Sequence, residues 1–163
     1  MRMIPRWLPL VMVVLCGCSP PPPPPPPAPF AAIVSFKQLM EWVIDPAADV
    51  IWDSVQSIMT VKETKEIAPQ PDEQWAAVRN AAATLAESSN LLMMEGRARD
   101  NKEWLAIARR LGANAAKALK AAEAKDAAAV FAAGGDIYSA CKACHERYAN
   151  LDEKSAPPEK AAK

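Results

Sequence analysis

The chain has 163 residues, a length typical of one domain, and 51% of them are hydrophobic. Lys and Arg together equal Asp and Glu in number, so the formal net charge is zero. This balance, and the lack of aromatic residues interleaved with basic ones, exclude the positively charged surface that nucleic-acid binding requires.

Residues 1–17 have the composition of an export signal. A basic start precedes an apolar run over residues 7–15, which is too short to cross a bilayer. The run ends in the letters LCGC at residues 15–18, which resemble a bacterial lipoprotein signal with a small residue before the acceptor cysteine. The resemblance implies that Cys18 becomes the lipid-carrying first residue of the mature chain and that Cys16 is removed. A secretory signal without lipidation is the alternative.

A proline-rich spacer follows at residues 18–30. Because proline fixes φ and donates no hydrogen bond, residues 20–29 are predicted to form a polyproline II rod about 31 Å long. We expect this rod to hold a domain at residues 31–150 away from a membrane surface, and recognition by a partner domain is the alternative. Residues 151–163 are charged and interrupted by proline, so they are predicted to be a disordered tail.

Apolar residues recur at helical spacing in four stretches, and no stretch alternates like a strand apart from short, ambiguous apolar runs. The first stretch runs from Ile33 to Lys62. Within it, Asp45-Pro46 has the pattern of a helix cap followed by a first-turn proline. We therefore expect the first helix to kink or restart there.

The other three stretches each carry an apolar seam at steps of three and four residues, which is the spacing of a bundle helix. Asp72 is predicted to cap the second stretch, and the letters EGRARDN mark the turn after it. The three seams are Trp75, Val78, Ala82, Leu85, Ser89 and Leu92; Trp104, Ile107, Leu111, Ala115, Ala118 and Ala122; and Val130, Ala133, Ile137, Ala140, Cys144 and Tyr148.

Four helices joined by short turns predict an all-α fold, an antiparallel up-down four-helix bundle. Seams rich in alanine allow close helix approach but bury little apolar area per residue. We therefore expect a large apolar ligand to complete the core. Gly134 and Gly135 each weaken a helix by about 1 kcal/mol relative to alanine, and they are interpreted as space for that ligand.

The motif Cys141-x-x-Cys144-His145 contains both cysteines that follow residue 18 and the only histidine of the chain. Zinc would need a fourth nitrogen or sulfur ligand, which the mature chain does not supply. A thiol–disulfide exchange motif normally lies at a helix N-terminus after a strand, and a structural disulfide is a further alternative. The spacing is also that of covalent c-type haem attachment, one histidine suits one motif, and export would deliver the chain to the compartment where such haem is attached.

A haem motif on the last helix of a four-helix bundle resembles the class II c-type cytochromes, cytochrome c′ and its low-spin relatives, over about residues 33–150. The resemblance implies one haem c, bound through Cys141 and Cys144 near the C-terminal end of the last helix. It implies that His145 is the fifth iron ligand. It also implies a basic residue close to the haem a few positions later, a part that Arg147 would take.

The sixth iron position separates an electron carrier from a gas-binding protein. Met59 would lie about 39 Å along a continuous first helix, at the wrong end of the bundle. Met40 is level with the haem and matches the place from which low-spin relatives supply a ligand, whereas Met93 and Met94 close the second helix at the same end. Met40 is therefore the predicted ligand, with ordinary core packing as its alternative.

These inferences predict a periplasmic, membrane-anchored monohaem cytochrome that carries single electrons between redox partners and is not an enzyme. A five-coordinate protein that binds NO or CO is the first alternative, and a haem-free CxxC lipoprotein is the second. Ser19 after the acceptor cysteine favours the outer membrane, and homodimers are possible by resemblance. The predicted haem-pocket wall consists of Phe36, Leu39, Trp42, Leu92, Trp104, Tyr138 and Tyr148.

Overall fold

The computed structural model describes residues 30–149, so the predicted signal, Cys18, the proline run and the tail lie outside the described residues. The described chain is a helical bundle with one small hairpin. In order, the elements are α1 (Phe36–Leu39), a π-helical turn (Met40–Ile44), α2 (Asp45–Ser54), β1 (Gln56–Met59), β2 (Thr64–Ile67), α3 (Asp72–Leu92), α4 (Glu103–Glu123) and α5 (Ala127–Tyr148). The first helix comprises α1, the π turn and α2, so the predicted four-helix bundle is confirmed.

The predicted first helix is wrong beyond Ser54, where the chain turns into a β-hairpin instead. The two strands are antiparallel, with Gln56 opposite Ile67 and Met59 opposite Thr64. Thr, Val and Ile are frequent in this segment, and these residues favour strands. Nearly all of the hairpin side chains are exposed, so the alternation that normally reveals a strand is missing from the sequence.

The predicted interruption at Asp45-Pro46 is confirmed as a π-helical turn. Proline has no N–H group to continue the α-helical ladder, and the Asp45 amide donates to the Met40 carbonyl five residues back. Asp45 does not cap a helix with its side chain, so that part of the prediction is wrong. The first side-chain cap lies earlier, where Ser35 and Gln38 form a reciprocal capping box with N–O distances of 2.9 and 3.2 Å.

The predicted seams of α3 and α4 are entirely buried, and that of α5 is buried except for the half-buried Cys144. Asp72 is the first residue of α3 rather than its cap, and its carboxylate pairs with Lys125 Nζ at 2.6 Å. No helix within residues 30–149 is long and apolar enough to span a bilayer.

The contact between α3 and α4 is close because Gly112 has no side chain. A methyl group there would overlap the Ser89 hydroxyl and lie 3.2 Å from Ser89 Cβ. The Ser89 hydroxyl is itself held by a 2.7 Å hydrogen bond to the Ala86 carbonyl, so it has little freedom to move away.

Gly112→Ala is expected to lower the free energy of unfolding by about 1–3 kcal/mol, the usual cost of overpacking, despite the better helix propensity of alanine. The double variant Gly112→Ala/Ser89→Ala should recover part of this loss because the overlapping hydroxyl is gone. Urea unfolding followed by circular dichroism measures both. A Gly112→Ala variant as stable as the parent would contradict the close approach.

Candidate functional site

One face of α5 carries the Cys-x-x-Cys-His motif. Cys141, Cys144 and His145 lie at helical positions i, i+3 and i+4, which share one side of a helix. Both cysteines are half-buried and neither forms a disulfide, while His145 is exposed. The helix therefore presents two thiols and an imidazole together at the rim of the bundle core.

This face of α5 is one wall of a cleft between the helices. The empty volume of the cleft, including its open mouth, is about 410 Å³. Its surface is mostly apolar. The lining residues are Met40, Ile44, Asp45, Leu92, Trp104, Ile107, Ala108, Leu111, Ala140, Cys141, Cys144 and His145.

The structure brings Met40 into the cleft with the Cys-x-x-Cys-His motif. Met93 and Met94 lie outside the lining of the cleft, and the Met94 sulfur lies 3.9 Å from an Arg97 nitrogen. Met59 is 80% exposed on β1. Of the four methionines considered from sequence, Met40 is therefore the one that lines the cleft.

The predicted pocket wall is only partly correct. Leu92 and Trp104 line the cleft. Trp42 and Tyr138 are 62% and 58% exposed and lie outside it, so their prediction is wrong. The other predicted wall residues, Phe36, Leu39 and Tyr148, do not line the cleft either, although two of them pack behind it.

Trp104 is fixed from several sides. Its indole nitrogen donates to the Leu92 carbonyl at 2.7 Å. The Tyr148 ring packs edge-on against it at 5.0 Å, and the Phe36 ring lies 5.6 Å away, between ring centroids. The wall of the cleft is thus tied to the first helix, α3 and the end of α5.

Asp100 anchors this aromatic group. Its carboxylate accepts a short hydrogen bond from the Tyr148 hydroxyl and further ones from the backbone amides of Lys102 and Trp104, at 2.9 and 3.1 Å. These bonds, the tyrosine first, lower the pKa of Asp100 to about 2. Arg147, predicted to lie near a haem, donates from its Nε to the Tyr148 hydroxyl at 3.2 Å.

Arg97 closes the same end of the bundle and was missed from sequence. It is 7% exposed, and its guanidinium donates to the Val34 carbonyl at 2.9 Å and to the Leu91 carbonyl at 3.5 Å. The preceding Gly96 has φ +84°, which turns the chain so that Arg97 points inward. The letters EGRARDN predicted the turn, but nothing in them shows a buried arginine.

Gly134 makes room for Trp52 rather than for a ligand. A Cβ atom at Gly134 would lie 3.2 Å from the Trp52 ring, and the indole nitrogen donates to the Gly134 carbonyl at 3.0 Å. Gly135 faces open space. The interpretation of these glycines as ligand space in the core is therefore wrong.

Burial and charge oppose ionisation of the Cys141 thiol. Burial first, and then the nearby Asp45 and Cys144, raise the pKa of Cys141 to about 11. Burial also raises the pKa of Asp45, against the opposing effect of His145. Asp45 was missed as a cleft residue because its pairing with Pro46 indicated a cap. A thiol–disulfide exchange site needs a lowered thiol pKa, so this environment argues against that alternative.

The sequence of the last two helices matches a known family. The family model described as Cytochrome C′ matches residues 99–149, which contain α4 and α5. No curated protein and no solved structure matches the chain significantly. The match supports assignment to the class II c-type cytochromes, a family that implies covalently bound haem c.

The cleft residues fit such a group. Two thiols one helical turn apart face an apolar cleft, an imidazole follows directly, and a thioether lies on another helix. Within residues 30–149 no group of three or more His, Cys, Asp and Glu side chains is arranged to hold a bare metal ion. The donor set therefore suits a porphyrin attached through sulfur better than zinc.

Tyr148→Phe is expected to raise the pKa of Asp100 part of the way towards its ordinary value, because the largest lowering contribution is lost while the backbone amides remain. A carboxyl group whose pKa is lowered by folding stabilises the folded state at pH values above its pKa in the unfolded state. This stabilisation is lost as the pH falls towards about 2, the pKa of the folded state. The stability difference between parent and variant should therefore shrink below about pH 4. NMR titration of the Asp100 carboxyl measures the shift, and an unchanged titration would contradict the assignment.

Proposed function

We propose that this chain, a class II c-type cytochrome by the family match over residues 99–149, is a monohaem electron carrier that passes single electrons between redox partners. The observation that carries the proposal is the cleft. It collects the Cys-x-x-Cys-His motif of α5 and the Met40 thioether of the first helix in one apolar site. The role is that of a carrier and not of an enzyme, because no second histidine is available as a base beside the site.

Each cleft residue has a role in this proposal. Cys141 and Cys144 would hold the haem through thioether bonds, and His145 and Met40 would ligate its iron. When bound, the haem supplies a one-electron iron couple, whose potential a methionine ligand raises. Ile107, Leu111 and Trp104 exclude water from the site, which keeps reorganisation around the ligands small.

The proposal includes a membrane anchor at the periplasmic side. Residues 1–17 direct export, Cys18 carries the lipid, and Ser19 favours the outer membrane. The support for this part is sequence composition alone.

Met40→Ala is expected to convert a sharp, low-spin reduced haem spectrum to a high-spin one that shifts with CO, because the sixth ligand is lost. Met93→Ala is the matched control, since Met93 is partly buried in the core but does not line the cleft. Visible absorption of both purified proteins measures the effect.

An unchanged spin state in Met40→Ala would exclude Met40 as the ligand. A parent protein that is already high-spin and binds CO would favour the gas-binding alternative over the carrier. A colourless exported protein without the added mass of one haem would exclude both.

Cys18→Ala is expected to release the protein from the membrane fraction into the soluble periplasm, because the lipid-bearing residue is lost. Cys16→Ala should stay with the membrane and have the same mature mass as the parent. Fractionation and intact mass spectrometry measure this. A Cys18→Ala protein that still carries lipid would contradict the assignment.

A further inference from the structure

A second groove lies between α2, the hairpin and α5. Its empty volume, including the open mouth, is about 990 Å³, and none of its lining residues lines the haem cleft. Phe131 and Tyr138 are each 58% exposed in it, and Ile58 is 41% exposed. Two aromatic rings at this exposure form an apolar surface that the proposed function does not explain.

The aromatic residues form an ordered wall. Phe131, Gly135 and Tyr138 lie at positions i, i+4 and i+7 of α5, on one side of the helix. Gly135 leaves a gap between the two rings, since a Cβ atom there would meet nothing within 4 Å. The Trp52 ring packs edge-on against Tyr138 at 6.3 Å, and its bond to the Gly134 carbonyl fixes it.

We propose that this groove binds the chain's own proline-rich segment, residues 20–29, as a polyproline II helix. Aromatic-lined grooves are the usual binding sites of such helices. Phe131 and Tyr138 are seven residues apart, which is about 10.5 Å along α5. One turn of a polyproline II helix rises about 9.3 Å. Two prolines one turn apart would therefore lie against Phe131 and Tyr138, with the gap at Gly135 between them.

The segment is long enough to reach the groove. Phe36 packs against Trp104 and Trp104 against Tyr148, so the first helix begins beside the end of α5. Tyr138 lies ten residues back along α5, about 15 Å from that end. Phe131 lies seven residues farther back, about 25 Å from that end. Phe30 is only four residues before Val34, whose carbonyl is hydrogen-bonded to Arg97, and residues 20–29 span about 31 Å as a polyproline II helix, so they can reach both rings.

The chain's own segment is favoured over a second copy or another protein. Tethering gives it an effective concentration in the millimolar range, which free partners do not reach. Proline has little conformational entropy to lose on binding. The proline side chains carry no charge, which suits a groove where Asp53 is the only charged residue among the described lining residues.

This proposal does not rest on haem binding. It gives the spacer two states, one docked along the domain and one extended. If Cys18 is lipidated, the two states hold the cleft end at different distances from the membrane.

The test is hydroxyl-radical footprinting of the full-length, haem-containing chain in detergent, with oxidation of single residues followed by mass spectrometry. The comparison protein has residues 20–27 replaced by alternating Gly and Ser, which keeps the length but removes the polyproline II preference. Phe131 and Tyr138 should be oxidised about twofold faster in the replaced chain, the change expected for a surface covered half of the time. Trp42, 62% exposed and outside the groove, is the internal control and should not change.

Equal oxidation rates at Phe131 and Tyr138 in the two proteins would overturn the proposal. Protection in the parent that disappears on dilution would assign the groove to a second copy and would also overturn it. A change at Trp42 of the same size would mean general loosening, which counts against docking. The haem spectrum of the replaced chain should equal that of the parent, so failure here is distinguishable from failure of the electron-carrier proposal.

Discussion

Close helix packing through small side chains is the constraint on which the rest of the structure depends. Ala82, Ala115 and Ala118 are fully buried, and Gly112 lets α4 approach Ser89 of α3. Alanine contacts of this kind let the helices approach each other closely. Where the helices enclose the cleft, the large side chains of Leu92, Trp104, Ile107 and Leu111 line an opening instead of filling it, together with the small Ala108 and Ala140.

The first helix reaches the cleft with a local change of geometry. A regular α-helix would place Met40 and Ile44 one turn apart and carry Asp45 round towards a different face. The π turn, imposed next to a proline, adds a residue to this turn, and all three side chains line the cleft. π-helical turns of this kind are frequent at functional sites. The lining of the cleft thus depends on the Pro46 interruption as well as on the motif of α5.

The sequence predicted what repeats at helical spacing and missed what depends on single long-range contacts. The seams of α3, α4 and α5 follow from periodicity because most of their members face one core. The hairpin was missed because its side chains are exposed on both faces, so no alternation appears. Arg97 and the packing of Trp52 on Gly134 were missed because their partners lie 63 and 82 residues away. For the site, residue spacing predicted the motif, and position along the first helix predicted Met40. The position of Asp45 in the cleft was missed because an Asp-Pro pair commonly indicates a helix cap.

Three polar contacts hold the cleft end of the bundle together. The Arg97–Val34 and Tyr148–Asp100 hydrogen bonds both tie the cleft end, joining the start of the first helix, the loop before α4 and the end of α5. The indole bond of Trp104 to Leu92 holds the wall between them. These contacts involve no residue of the Cys-x-x-Cys-His motif, so they fix the cleft walls independently of any group bound there. The proposed electron carrier would need ligands that move little between oxidation states, and walls held by their own hydrogen bonds would meet that need before the cofactor contributes anything.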